Sequence, residues 1–144
     1  IDDATQPAHL SKLVATTGAD EVPIEMTEDF KCLATAVYFE SRGEPLEGQL
    51  AVAQVIQNRV ESGRYASSIC GVVYQPGQFT FARNRTPAFS SNDWKVAQAI
   101  ALIALTDSYR EVAPKAMSFH ATRVSPNWTD RRMVSRIGNH IFYR

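Results

Sequence analysis

Three glutamates, Glu40, Glu44 and Glu47, lie close together in the segment YFESRGEPLEGQ, which spans residues 38–49. A carboxylate is well solvated on a protein surface, but it loses that solvation in an apolar cleft and then favours its neutral form. A carboxyl group that stays protonated near neutral pH can transfer its proton to a substrate. The first question is therefore which of the three glutamates has such an environment.

The apolar pattern before this segment predicts a helix that carries Glu40 on its buried side. Thr27 begins the helix, Leu33 and Val37 recur at helical spacing, and Gly43 favours its end. Glu40 follows Val37 by three positions and Leu33 by seven, so it continues the apolar stripe. It also lies in the last turn, at the negative end of the helix dipole. Burial and this dipole both raise the pKa of a carboxyl group, as a general acid requires.

The other interpretation of Glu40 is a helix-end carboxylate paired with Arg42 or Arg59, and the residues alone leave both open. Glu44 and Glu47 have sufficient structural explanations. Glu44 lies in a Gly-x-Pro turn, and Glu47 lies in the first turn of the next helix, where a carboxylate is favoured.

The remaining pattern predicts an α+β, mostly helical fold. Residues 1–26 are polar and weakly periodic, so we interpret them as a tail or linker with one short helical turn at His9–Val14, and we place a single domain at 27–144. Helices are predicted at about 45–62, 68–75 and 93–107, and short strands at 77–82, 116–122 and 134–144.

Composition excludes few classes of protein. The chain of 144 residues is 44% hydrophobic and 21% charged, which is typical of one soluble globular domain, and no apolar run could span a bilayer. Net charge is zero, but residues 1–47 carry −7 and residues 48–144 carry +7. This asymmetry fits a mixed-charge surface best, and nucleic acid or a polymer carrying carboxylates are the alternatives. The two cysteines, Cys32 and Cys70, are either thiols or one disulfide, and their number and spacing do not favour a zinc site.

Four segments resemble the SleB-type cell wall hydrolase family, of which spore cortex-lytic enzymes are typical. They are CLATAVYFESRGEPLEGQLAVAQVIQNRV (32–60), ICGVVYQPGQFTF (69–81), SFHATRVSPNW (118–128) and RIGNHIFY (136–143). The resemblance implies a lysozyme-like or lytic-transglycosylase-like domain with a small β-hairpin region. It also implies cleavage of the β-1,4 bond between N-acetylmuramic acid and N-acetylglucosamine in peptidoglycan.

The resemblance places the family's catalytic glutamate at Glu40, the residue that the helix pattern also selects. A lytic transglycosylase needs no second carboxylate, because the muramic acid C6 hydroxyl attacks the anomeric carbon and leaves a 1,6-anhydro end. We therefore expect Glu40 to act as acid and then as base. A muramidase-type hydrolysis would need a second carboxylate, for which Glu47 and Asp130 are the candidates.

Seven further residues are predicted to bind substrate, because amides can hydrogen-bond sugar groups and aromatic rings can stack on sugar faces. They are Gln78, Phe79, Phe81, Ser118, His120, Asn127 and Trp128. Core packing is the alternative for the two phenylalanines and for Trp128, and a structural role is the alternative for His120. No His and carboxylate spacing suggests a metal, so we expect neither metal nor cofactor.

The expected partners are peptidoglycan glycan strands, with no nucleic acid and no transmembrane segment, and we expect a monomer. The chain starts at Ile1 and not at Met, which suggests a processed or truncated product. We expect an exported protein in the periplasm, cell wall or extracellular space. In that compartment the resemblance implies a Cys32–Cys70 disulfide. A non-catalytic peptidoglycan-binding module is the competing function, since fold alone does not guarantee activity.

Overall fold

The computed structural model describes residues 7–18, 22–79 and 85–144. The helices in these residues are α1 (Pro7–Thr16), α2 (Thr27–Ser41), α3 (Leu46–Ser62), α4 (Ile69–Val73) and α5 (Asn92–Leu105), with a 3₁₀ turn at Ile24–Met26. The strands are β1 (Ser118–Ala121), β2 (Met133–Ile137) and β3 (His140–Tyr143). The fold is therefore α+β and about half helical, as the sequence predicts.

The core lies between α2, α3 and α5, which pack against one another, while α4 packs on α2 and α3. Leu33, Leu50, Ile56 and Ile100 are fully buried there. The helix ends follow local chemistry: Ser68 and Ser91 accept N-terminal N–H groups of α4 and α5, and Gly63 ends α3 in the left-handed conformation.

The three strands form an antiparallel sheet in the order β1-β3-β2. One face carries Phe119 and Phe142, and Phe142 is fully buried against the helices. Because side chains alternate along a strand, Ser118, His120 and Tyr143 lie on the opposite face. The sheet thus packs on the core through one face and carries two predicted substrate residues, the buried Ser118 and the partly buried His120, on the other.

Residues 1–26 are not simply a tail. Within them, α1 packs on α5 and α3, and Leu10 is fully buried. The His9 ring also stacks on Tyr109, with centroids 6.4 Å apart. The sequence predicts only a short helical turn at His9–Val14, but the helix extends over Pro7–Thr16, so residues 7–16 belong to the packed domain.

The predicted strand at 77–82 is wrong over its described residues. Gly77 adopts a φ of +78°, and the Gln78 N–H donates to the Gln75 carbonyl at 3.2 Å, so residues 75–78 form a turn. The rest of that segment, including Phe81, lies outside the described residues. The hairpin of the described chain is instead formed by β2 and β3.

Cys32 in α2 and Cys70 in α4 are joined by a disulfide, with Cα atoms 5.2 Å apart. This disulfide joins the short helix α4 to α2. Within the described ranges, none of the helices is both long and apolar enough to cross a membrane.

Candidate active site

Glu40 lies in the last turn of α2, and its side chain is half-buried. Val37, one turn earlier, is fully buried, so this end of the helix is fixed in the core. The neighbouring rings of Tyr38 and Phe39 make an edge-to-face pair with centroids 4.9 Å apart, and the Arg42 guanidinium lies 4.8 Å from the Tyr38 ring. Glu40 is therefore held at the carboxyl end of a helix that is packed into the core.

Glu44 connects this helix end to the β2–β3 turn. Its Oε1 accepts the backbone N–H of Asn139 at 2.8 Å, and its Oε2 accepts from Asn139 Nδ2 at 3.2 Å. Gly138 has a φ of +57°, and a Cβ at that position would lie 2.6 Å from both Glu44 Oε1 and Pro45 Cδ. The close approach therefore requires glycine. The structure gives Glu44 a structural role and brings the sheet beside the end of α2.

His140 begins β3 next to this contact. Its Nδ1 lies 3.9 Å from Glu44 Oε1, which is beyond hydrogen-bond reach, and that buried nitrogen has no hydrogen-bond partner among the described residues. Burial lowers the pKa of His140 below its usual value, although the nearby Glu44 carboxylate raises it. The ring is thus favoured in its neutral form.

The two candidate second carboxylates are used elsewhere or fully solvated. Glu47 Oε2 accepts from Arg110 Nη2 at 2.7 Å, in an ion pair that joins α3 to the segment after α5. The Asp130 side chain is 87% exposed, and its Oδ1 is 4.0 Å from Arg131 Nε. Glu47 is therefore engaged with Arg110, and Asp130 is open to solvent.

Three rings on the outer face of the sheet form an aromatic cluster: His120, Trp128 and Tyr143. Their centroids are separated by 5.2 to 5.3 Å. His120 Nδ1 lies 2.7 Å from the Ala121 carbonyl, which can only accept, so Nδ1 carries the hydrogen. In the neutral ring, Nε2 then accepts from the Tyr143 hydroxyl at 2.8 Å. With both nitrogens engaged, His120 positions Tyr143 and is not placed as a free base.

Arg59 of α3 links the predicted residue Gln78 to the start of β1. Its Nη1 donates to Gln78 Oε1 at 3.2 Å, and its Nε donates to the Met117 carbonyl at 2.8 Å. The guanidinium lies 4.8 Å from the Tyr65 ring centroid and 5.4 Å from that of Phe79. Next along the chain, Ser118 Oγ accepts from Arg131 Nη1 at 3.3 Å.

Arg131 completes a chain of contacts, because its guanidinium lies 4.2 Å from the Trp128 ring centroid. The chain of contacts runs from Gln78 through the buried Arg59 and Ser118 to Arg131 and the aromatic cluster. It therefore brings together four of the seven residues predicted to bind substrate: Gln78, Ser118, His120 and Trp128.

The other three predicted substrate residues have different positions. Phe79 borders the Arg59 guanidinium, but its ring packs on the core with its centroid 6.4 Å from that of Phe119, which favours its packing role. Asn127 is exposed in the segment between β1 and β2. Phe81 lies outside the described residues.

Sequence reasoning did not select Arg59, Arg131 or Tyr143 as site residues. Arginine is ordinarily a solvated surface residue, so an arginine in a helix or loop carries little signal on its own. The one available signal for Arg59 was its position, since it follows the buried Val55 by four residues and should lie on the same helix face.

A separate cleft of about 370 Å³ lies between α3 and the end of α5, and its lining includes Gln57, Asn58 and Glu111. None of its lining residues belongs to the contacts that run from Gln78 to the aromatic cluster. Glu111 Oε2 already accepts from Asn58 Nδ2 at 3.0 Å and from the Lys115 N–H at 2.9 Å. The polar groups of this cleft therefore hold the loop after α5, and we do not regard the cleft as the active site.

The described parts of the chain contain no cluster of side chains that could ligate a metal ion. No group of three or more His, Cys, Asp and Glu side chains lies close enough there to hold an ion.

Comparison with solved structures identifies the same fold in two catalytic domains. The catalytic domain of the Bacillus cereus SleB protein is 32% identical, with a TM-score of 0.69 over 82% of this chain and 91% of that domain. The catalytic domain of the germination-specific lytic transglycosylase SleB from Bacillus anthracis is 31% identical, with a TM-score of 0.69 over 85% of this chain and all of that domain.

Sequence comparison gives the same relationship. The spore cortex-lytic enzyme of Bacillus subtilis is 36% identical over 118 residues, covering 79% of this chain and 37% of the relative. That of Oceanobacillus iheyensis is 33% identical over 115 residues, covering 79% of this chain and 41% of the relative. The chain thus spans about two fifths of the length of these curated relatives. The profile of the cell wall hydrolase family matches residues 43–143, and Glu40 lies just before that range. The chain belongs to the cell wall hydrolase family.

Proposed function

We propose that this chain cleaves peptidoglycan glycan strands at the β-1,4 bond between N-acetylmuramic acid and N-acetylglucosamine, as a lytic transglycosylase. The family and the names of the relatives support peptidoglycan degradation. One structural neighbour is named as a lytic transglycosylase, which supports the finer reaction. The protein would then act outside the cytoplasm, where peptidoglycan lies.

The observation that carries the choice of reaction is the use of the neighbouring carboxylates. Glu44 is bonded to the β2–β3 turn, and Glu47 is paired with Arg110. Hydrolysis by a two-carboxylate mechanism needs a second acidic group flanking the bond. Since both nearby glutamates are already engaged in structural contacts, a mechanism with one carboxylate accounts better for the site.

In this mechanism Glu40 first donates its proton to the glycosidic oxygen, which leaves as the 4-hydroxyl of N-acetylglucosamine. The resulting Glu40 carboxylate then removes the proton of the muramic acid C6 hydroxyl as that oxygen bonds to C1. Glu40 ends protonated, no water is consumed, and the product has a 1,6-anhydro end. One residue thus serves as acid and base in turn.

Gln78 and the aromatic cluster are proposed to position the glycan. The amide nitrogen of Gln78 remains to donate, since its Oε1 already accepts from Arg59. The rings of Trp128 and Tyr143 offer apolar surface to sugar faces.

Mass spectrometry of fragments released from purified peptidoglycan tests the proposal. We expect fragments with 1,6-anhydromuramic ends, lighter by one water than those with reducing ends. Reducing muramic ends would establish hydrolysis instead and refute the one-carboxylate mechanism. Binding without release of fragments would favour a non-catalytic peptidoglycan-binding module.

A further inference from the structure

A buried cation near the proposed site has no acidic counterpart. Arg59 is only 6% exposed. Among the described residues, no carboxylate oxygen lies within ion-pair distance of its guanidinium. Its neighbours are two aromatic rings, a carbonyl and the Gln78 amide. Burial of a charge is unfavourable unless an opposite charge compensates it, so this arrangement needs an explanation.

A second guanidinium lies beside it. Arg59 bonds the carbonyl of Met117, and Arg131 bonds the side chain of the next residue, Ser118. Burial lowers the pKa of Arg59, and the charge of Arg131 lowers it further, although Tyr65 raises it. Arginine nevertheless stays protonated at neutral pH. The Asp130 carboxylate near Arg131 is solvent-exposed and at the limit of contact, so it screens the pair weakly.

Donors remain available on the two arginines. In the described hydrogen bonds Arg59 uses Nε and Nη1, and Arg131 uses Nη1, so the Nη2 groups are not engaged. Two forked guanidinium groups suit a planar carboxylate, which they can bind through paired N–H···O bonds. An anion between them would also relieve their mutual repulsion.

We propose that Arg59 and Arg131 form a subsite for a carboxylate carried by the muramic acid side of the glycan strand. This inference rests on the proposed function, because it takes the substrate to be peptidoglycan. Muramic acid differs from glucosamine by a lactyl ether, which ends in a free carboxylate when the stem peptide is absent. When the peptide is present, its own carboxylates are the source. The subsite would let the protein distinguish peptidoglycan from neutral polymers of N-acetylglucosamine.

Equilibrium binding tests this subsite separately from cleavage. The Glu40→Gln protein, which should not consume its ligand, is titrated with soluble glycan strands of two kinds. One kind retains its stem peptides, and the other has been stripped by an amidase and has free lactyl carboxylates. A portion of each is treated with carbodiimide and methylamine, which converts the carboxylates into neutral amides.

Arg131→Gln is made in this background, and Arg132→Gln is the matched control, since the adjacent Arg132 is exposed and loses the same charge. We expect Arg131→Gln to weaken binding of a carboxylate-bearing strand about tenfold, the loss of one charge-assisted contact. It should leave binding of the amidated strand unchanged. Arg132→Gln should change neither. Weaker binding of stripped strands identifies the lactyl group as the source of the carboxylate. Weaker binding of peptide-bearing strands identifies the stem peptide as the source.

An equal loss on native and amidated strands, or an equal loss in Arg132→Gln, would overturn the inference, as would an absence of binding to every strand. Arg59→Lys provides a second test wherever its circular dichroism is native: it keeps the charge but loses the fork, and it should reduce the same carboxylate preference. Carboxylate-dependent binding by a protein that cleaves no peptidoglycan would refute the proposed function and retain the subsite. Cleavage of peptidoglycan by a protein whose binding does not depend on carboxylates would retain the proposed function and refute the subsite.

Discussion

Replacing Glu44 by alanine should destabilise the fold, because this carboxylate fastens the β2–β3 turn to the end of α2. The substitution removes two hydrogen bonds to Asn139, of 2.8 and 3.2 Å. Hydrogen bonds to a charged group contribute about 1.5–3 kcal/mol each, but Asn139 is exposed and water can replace part of that. We therefore expect a loss of about 2–3 kcal/mol in the free energy of unfolding. For a domain of this size, that lowers Tm by about 6–9 °C.

Urea and thermal unfolding, followed by circular dichroism, would measure this loss. Glu47→Ala is the matched control, because its ion pair with Arg110 is partly exposed, with side-chain exposures of 20% and 40%. Such a pair contributes less than about 1 kcal/mol. If Glu44→Ala unfolds within about 0.5 kcal/mol of the wild type, or no more easily than Glu47→Ala, the assigned role of Glu44 is wrong.

Three further predictions follow from the same region. Gly138→Ala should cost more stability than Gly63→Ala, because both glycines have positive φ but only the Gly138 Cβ would meet Glu44 and Pro45; equal losses in urea unfolding would contradict the close approach. Because the pKa of His140 is lowered in the folded protein, the unfolded chain binds more protons than the folded one as pH drops through about 6.5, and the free energy of unfolding should fall there. His140→Phe should flatten this pH dependence. An unchanged slope of stability against pH would rule His140 out as its source. Glu47→Ala should retain peptidoglycan cleavage within about twofold, and a loss of about a hundredfold or more would restore Glu47 as a second carboxylate.

The helices were predictable because their signals are local. The apolar stripe of α2, the glycine after α3 and the serine before α4 each act within a few residues of the helix they define. The sequence pattern failed where tertiary packing decides. Helix α1 is stabilised by burying Leu10 against the domain, and its own polar sequence does not predict that contact.

The candidate site divides in the same way. Glu40 could be selected from one helix, because its place in the apolar stripe is a local property. The arginine pair could not, because residues 59, 78, 118 and 131 meet only when α3, the turn before residue 79 and the sheet are assembled. The contact between Glu44 and Asn139 joins positions 95 residues apart and has no local signal either.

The central claim is that Glu40 is the acid and base of a transglycosylase. Its most direct test compares muropeptides released by the wild type, by Glu40→Gln and by Glu28→Gln, an exposed glutamate at the opposite end of the same helix. We expect 1,6-anhydromuramic ends from the wild type and from Glu28→Gln, and a rate lower by about a hundredfold or more from Glu40→Gln, as for removal of a general acid. Release of anhydro ends by Glu40→Gln at a rate close to that of the wild type would refute the role of Glu40.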